Sequence, residues 1–253
     1  MSSRVSCRNV SKRFQHFEEH STSFRELILR KVMKRPVETG RPVFHLEGFN
    51  LEVAAGEAIT IVGGNGSGKS TALRLLAGVY QPTGGQITIQ GRLTAIIELG
   101  VGFHPELSGV ENIRLYGAVC GLSPKLLMSR FDDIVEFSGV REYIDQPLKY
   151  YSTGMQARLA FAVAVATRPD VILVDEVLAV GDFEFREKCI GFFDSFLAAG
   201  GTMIAVSHDL DLVRTLCSRA VWLEKGRVRM DADVESVAAA YVDAIGLSPD
   251  VLE

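Results

Sequence analysis

No stretch of this sequence reaches the ~20 consecutive apolar residues that a membrane-spanning helix needs. Its first ten residues, MSSRVSCRNV, lack the apolar h-region of a secretory signal. Cysteine is scarce: Cys7, Cys120, Cys189 and Cys217 stand far apart with no CxxC pair, giving no disulfide or metal signal and suiting a reducing compartment. Positive charge is not in excess. The 27 Lys and Arg against 31 Asp and Glu leave a net charge of −4, which argues against a whole-surface nucleic-acid binder. Internal repeats, low-complexity linkers and heptads are missing too. These absences point to a soluble cytoplasmic protein; if it works at a membrane, another chain supplies the membrane part.

What is there is an ordinary globular composition, 47% hydrophobic and 23% charged over 253 residues, enough for a substantial core in one or two domains. RVSCRNVSKRF (4–14) alternates polar and apolar residues and reads as a strand. FHLEGFNLEV, GEAITIVG and GQITIQG read as three more. VILVDEV (171–177) and GTMIAVSHD (201–209) are short, nearly continuous apolar runs of the kind buried in a parallel sheet. From Pro105 to about Arg168 the pattern is mostly helical. AVWLEKGRVRM resembles a hairpin with Gly226 in its turn, and DVESVAAAYVDAI a helix starting at an Asp cap. Alternating strands and helices predict an α/β fold with a helical insertion in its middle.

The strongest signal is ITIVGGNGSGKSTALRLLAG. Gly63, Gly68, Lys69 and Ser70 fit G-x-x-x-x-G-K-[ST] directly after an apolar strand and at the opening of an apolar helix. In such a loop, here Gly63, Gly64, Asn65, Gly66, Ser67 and Gly68, successive N–H groups curl toward phosphate oxygens. Lys69 reaches the terminal phosphates and the Ser70 hydroxyl ligates Mg²⁺. The following helix, with Ser70 and Thr71 in its first turn, adds about half a positive charge at its tip. VILVDE supplies the second part: Asp175 ends a hydrophobic strand where it can hold Mg²⁺ through water. Glu176 beside it can orient and deprotonate an attacking water. His208 follows the strand expected next to that of Asp175, from which its imidazole can approach the γ-phosphate.

A third signal is YYSTGMQARLAFAVAVA, from Tyr150 to Ala166. Ser152, Thr153, Gly154 and Met155 open a helix whose free N–H groups form an anion site, although the chain's own phosphate loop already serves the triphosphate from one side.

The order of these parts (phosphate loop, helical segment, Ser-x-Gly tip, Asp-Glu strand, strand with His) resembles the ATPase subunits of ABC transporters over residues 4–230. YSTGM stands where that family carries its Leu-Ser-Gly-Gly-Gln signature, and LAVGD, with Gly181 and Asp182, at its D-loop. ELGVGFHPELSG, YSTGM and DEVLAVGD together are similar to the subunits exporting bacterial O-antigens, capsules and teichoic acids, which also carry an insertion between the first two strands, here 15–43.

The resemblance implies one ABC ATPase domain: a P-loop NTPase (RecA-like) core over 1–97 and 169–230, a small antiparallel β subdomain, an inserted helical subdomain over 98–168 and a C-terminal helix over 231–253. It implies ATP and Mg²⁺, catalytic roles for Glu176 and His208, and Mg²⁺ ligation by Ser70 and Asp175. It further implies a head-to-tail homodimer in which each Ser152–Met155 tip closes on the partner's ATP. A separate transmembrane subunit, a polysaccharide or glycolipid moved through it, and a place on the cytoplasmic face of the inner membrane belong to the same expectation.

Several positions depart from the family pattern. Thr153 and Met155 replace a glycine and a glutamine of the signature. The usual Q-loop glutamine is missing, with Glu98 or Leu99 near its place and Glu98 a candidate third Mg²⁺ ligand. Phe14, or alternatively Phe44, is expected to stack on adenine. The basic amphipathic segment 22–35 suits anionic lipid headgroups, a transmembrane subunit, or simple packing on the domain. The sequence stops at Glu253 after a short helix, so no separate carbohydrate-binding domain is expected within it, whether the protein is of a short type or the sequence a truncated one. Alternative readings are a soluble non-transport ABC-type ATPase and a nucleotide-binding regulatory switch.

Overall fold

The computed structural model describes residues 3–15, 42–97, 99–175, 182–206 and 210–245. The basic segment 22–35 lies outside them, as do Glu98, Glu176, Gly181 and His208.

Two sheets organise the molecule. Strands β1 (Ser3–Gln15), β2 (Pro42–Ala54) and β4 (Gly84–Ile89) form a three-stranded antiparallel sheet in the order β2-β1-β4. Its inner face buries Val5, Cys7, Val10, Leu46, Phe49, Leu51 and Val53, the apolar half of the expected alternation. Burial and the neighbouring Glu52 carboxylate push the Cys7 thiol up to about 12, so it packs as a small hydrophobe.

The second sheet has six strands in the order β5-β6-β7-β3-β8-β9. These are β3 (Ala58–Val62), β5 (Leu93–Ile96), β6 (Val171–Asp175), β7 (Thr202–Val206), β8 (Arg219–Glu224) and β9 (Arg227–Asp233). All neighbours are parallel except β8 and β9. Strands β3, β6 and β7 are covered on both faces, which is why they read as unbroken apolar runs. Val171 and Leu173 join one core with helix α1 (Lys69–Leu76) and the antiparallel sheet. Ile172 and Val174 point to the opposite core, built with α6 (Phe183–Ala198), α7 (Leu210–Leu216) and α8 (Val234–Ile245). The β8–β9 turn places Lys225 and Gly226 both at positive φ, the primed hairpin geometry expected there. Asp233 caps α8 by accepting the Ser236 N–H at 2.9 Å, and these bonds hold its carboxyl below the usual range.

Between β5 and β6 stand α2 (Gly109–Val119), α3 (Pro124–Met128), α4 (Phe131–Ser138) and α5 (Thr153–Val165). Ile113, Ile134, Val135, Leu148, Leu159 and Val163 give them a core of their own. Helix α5 joins that core to the sheet: Phe161, Ala164 and Val165 belong to the main core, with Phe161 among Phe137, Phe185, Phe192 and Phe193. From Leu159 to Val165 the helix is apolar on every side because it is covered on every side.

Arg219 ties three segments together. Its guanidinium donates twice to Asp231 (2.5 and 2.7 Å), once to Glu57 (2.9 Å) and once to the Glu52 carbonyl (2.9 Å). These partners raise its pKa despite desolvation. Arg219→Met leaves Asp231 without the guanidinium and Glu57 with only the Ala54 N–H, and is expected to lower unfolding free energy by about 1–2 kcal/mol, after allowance for partial exposure. Denaturant melts will check it: an unchanged midpoint assigns no such role to Arg219.

Candidate nucleotide-binding site

The loop 63–68 leaves the carboxyl end of β3, flanked by β7 and β8, and runs into α1. Its glycines are fixed by contacts. A Cβ on Gly63 would stand inside the Leu223 carbonyl oxygen, and one on Gly68 would lie 2.6 Å from the His45 carbonyl. Both residues have positive φ, so a side chain is resisted by strain and by collision. From outside, the Gly226 N–H donates to the Ser67 carbonyl at 2.9 Å, and the Gly226 carbonyl accepts the Glu47 N–H at 2.8 Å. The antiparallel sheet and the β8–β9 turn thus brace the loop.

Three observations point to an anion. Helix α1 has no side-chain cap and no acidic residue in its first turn, leaving its N-terminal dipole uncompensated. Lys69 is buried, and its ammonium donates to the carbonyls of Gly63 (2.6 Å) and Gly64 (3.1 Å). The hydroxyl of buried Ser67 has no partner among the described residues. A buried hydroxyl without a partner is costly, and a phosphate oxygen supplies the missing acceptor. Gly64, Asn65, Gly66 and Ser70 are exposed and Thr71 is half-buried at the tip, so the approach is open.

Asp175 closes β6 in register with Val206, the last residue of β7, and Val206 pairs on its other side with Ile61 of β3. The carboxylate therefore sits two strand spacings, about 10 Å, from the phosphate-loop strand. Glu176 comes next after β6 and His208 two residues after β7 in the sequence, and both lie outside the described residues. Among the described residues no three acids, histidines or cysteines gather into a metal cluster. The Ser70 hydroxyl and the Asp175 carboxylate are hard oxygen donors of the kind that would hold a cation such as Mg²⁺.

The second anion-facing tip is on α5. Ser152 caps that helix, its hydroxyl accepting the Met155 N–H at 3.1 Å. The N–H groups of Thr153 and Gly154 are left, with Ser152 and Thr153 exposed and Gly154 half-buried, where an added Cβ would meet only the Ser152 hydroxyl at 3.8 Å. Met155 packs against the helical core, which accounts for an apolar side chain at the family's glutamine position. Tyr151, just before Ser152, is buried and donates its hydroxyl to the Tyr143 carbonyl at 2.7 Å. Asp182 caps α6 through the Phe185 N–H (3.0 Å) and pairs with Arg158 of α5 at 3.3 Å.

Phe14 meets the ring of His45 edge to face at 4.8 Å and that of Tyr80 at 5.3 Å, with the Lys12 ammonium 4.9 Å from its centroid. The His45 carbonyl is the one packed against Gly68, so this cluster flanks the phosphate loop. His45, Tyr80 and Lys12 escape sequence reading because three separate segments bring them together. The Phe44 side chain lies outside the described residues. Leu99 packs between the main and helical cores, a structural position.

Ser67→Ala removes the unpartnered hydroxyl. The variant is expected to be as stable as the parent or up to about 1 kcal/mol more so, and to bind ATP more weakly in titration calorimetry. Unchanged affinity with lowered stability would place the hydroxyl in the fold rather than the site.

The sequence model of the ABC transporter family matches residues 46–179. The chain is 40% identical, over 94% of its length and 96% of the relative's, to the O-antigen export system ATP-binding protein RfbB of Klebsiella pneumoniae. It is 41% identical, over 90% of its length, to the protein of that name from Myxococcus xanthus, of which it spans 52%. It is 40% identical, over 94% of its length, to the teichoic acids export ATP-binding protein TagH of Bacillus cereus, of which it spans 42%. Among solved structures, an ATP-binding subunit of an ABC transporter superposes with a TM-score of 0.74 at 20% identity, covering 99% of this chain and 98% of that one. A dimeric ATP-binding cassette in a post-hydrolysis state, bound to ADP and Pi, superposes with a TM-score of 0.71 at 22% identity over 91% and 98% of the two chains. At such identities the structures speak for the fold, while the sequence matches carry the family: this chain belongs to the ABC transporter family.

Proposed function

We propose that the chain is the ATP-binding subunit of an exporter that moves a lipid-linked or capsular polysaccharide across the inner membrane through a separate transmembrane subunit. The observation that carries the reading is a pair of incomplete half-sites on one chain. The phosphate loop, with its buried lysine and unpartnered Ser67 hydroxyl, is one; the Ser152–Gly154 tip, exposed on the helical region, is the other. Two copies related by a two-fold axis complete two equivalent sites, with each tip set on the triphosphate held by the partner's loop. A preorganised donor of this kind contributes about 3 kcal/mol to catalysis by analogy with an oxyanion-hole contact. The nature of the cargo is supported by the relatives, whose names give O-antigen and teichoic acids export.

In the closed pair, Lys69 and the α1 tip hold phosphate charge, and Ser70 with Asp175 would hold Mg²⁺, which would supply charge neutralisation at the phosphates. Glu176, next to Asp175, orients and deprotonates the attacking water, and His208 beyond β7 contacts the γ-phosphate. Phe14 is assigned to adenine. Among the described residues no helix is long and apolar enough to cross a membrane, so the reading gives the transport path to the other subunit. The docking surface for that subunit is a groove of about 440 Å³ between the core and the helices, lined by Val79, Leu93, Val101, Tyr116 and Val119. Val79 (65% exposed), Val101 (58%) and Val119 (65%) are apolar side chains left to solvent there, a pattern that marks a contact surface.

Two variants test this reading. Glu176→Gln, given ATP and Mg²⁺, is expected to form a stable nucleotide-bound dimer in size-exclusion chromatography; full turnover by the variant removes Glu176 from its role. Ser152→Arg is expected to abolish ATPase activity while each chain still binds ATP at its own loop. Loss of binding in that variant would contradict the arrangement across two copies.

A further inference from the structure

Asn112, in the first turns of α2, is fully buried and spends its whole side chain on one loop. Its Oδ1 accepts the His104 N–H at 2.7 Å, and its Nδ2 donates to the carbonyls of His104 (3.1 Å), Leu107 (2.9 Å) and Ser108 (3.0 Å). The clamped loop is in turn laddered to the segment that leads into Ser152. The Leu148 N–H donates to the Leu107 carbonyl and the Lys149 N–H to the Pro105 carbonyl, both at 2.9 Å, and Ser108 bridges Pro147. Lys149 and Glu106 add an ion pair of 2.8 Å, and each bonds in the sense that holds both charged. The ladder continues into α5, where Gln156 donates to the carbonyls of Leu148 and Tyr151, each at 3.3 Å.

At its other end the loop reaches the exposed groove. Phe103, next to His104, packs edge to face on Tyr116 at 5.1 Å, and Val101 and Tyr116 line the groove wall. Packed rings and hydrogen bonds therefore run from the Phe103–Tyr116 pair at the groove, through 104–108, to the segment that leads into Ser152. A cap confined to α2 would not need this reach: the Ser108 hydroxyl and Glu111 already form a complete capping box.

We propose that Asn112 is a positioning residue for the ATPase reaction: by holding 104–108, which backbone hydrogen bonds and the Lys149–Glu106 pair tie to 147–149, it makes groove wall and Ser152 tip one mechanical unit, so that a load at the groove moves the tip. This rests on the proposed function, in which that tip acts on the partner's triphosphate. Linkage is reciprocal, so closure around ATP must also be felt at 104–108.

The test is amide hydrogen exchange on the full chain in the Glu176→Gln background, with and without ATP and Mg²⁺, beside steady-state ATPase assays in the unmutated background. With Asn112 present, ATP should slow exchange at Thr153–Gly154 and at 104–108 together. In Asn112→Ala, exchange should rise at both 104–108 and 150–154 while the phosphate loop and β3 keep theirs, and kcat should fall roughly tenfold with ATP binding to the single chain retained. Faster exchange at 104–108 alone, with parental kcat, would show a purely local structural role and overturn the inference. Should Asn112→Ala lower thermal stability as a whole, the surface pair gives the second arm. Glu106→Lys and Lys149→Glu should each lower kcat, and the double exchange should restore it; equal loss in all three, or in none, counts against the unit. Ser152→Arg separates the two levels. If it leaves turnover intact, the two-copy reading fails and this inference with it; if it abolishes turnover while Asn112→Ala behaves as parent, only the inference fails.

Discussion

The rest of the structure depends on where the six-stranded sheet puts its carboxyl ends. Strand β7 lies between β3 and β6, so the phosphate loop and Asp175 emerge on one edge with a single strand between them. That gap suits a triphosphate with a hydrated cation, and it exists only because the chain returns to the sheet out of sequence order. Parallel strands buried on both faces fix the register, since a slip of one residue would turn Ile59 and Ile61 toward the wrong core. The antiparallel sheet then has a second task besides covering that core. Its His45 carbonyl and the Gly226 turn press on Gly68 and Ser67 and hold the loop curled.

The two helix tips are built differently, in keeping with the tasks proposed for them. Helix α1 has no side-chain cap, so its first N–H groups and its dipole face the ligand, with Lys69 folded onto the loop carbonyls. Helix α5 satisfies one N–H with its own Ser152 hydroxyl and keeps those of Thr153 and Gly154. Under the proposed function, a loop that keeps its nucleotide gains from maximal charge, and a tip that releases the partner's triphosphate at each turnover gains from a weaker hold.

Legibility in the sequence was uneven, for physical reasons. The phosphate loop could be read because its chemistry is local: glycine spacing, lysine and serine stand within eight residues, and strand and helix periodicity flank them. The β8–β9 hairpin and the Asp233 cap were legible on the same ground, each being decided by one or two residues. Strand β5 was not. Four residues of half-buried sequence become a strand only when β6 offers its edge. The arrangement of Phe14 with His45, Tyr80 and Lys12 was hidden too, since its members come from β1, β2 and the segment after α1. Met155 read as a departure from a motif until its packing in the helical core gave it a reason.

By itself, then, the sequence determined the local chemistry: a phosphate-binding loop, an acidic strand end, a serine-led helix tip, and the alternation that makes an α/β fold. Tertiary structure alone decided what those parts stand beside. The one-strand gap between loop and Asp175, the backbone bonds from 105–107 to Leu148 and Lys149, and the tie between Arg158 and Asp182 all join residues distant along the chain. Such contacts arise from burial and backbone pairing over the whole domain, and no short window of sequence carries the information that sets them.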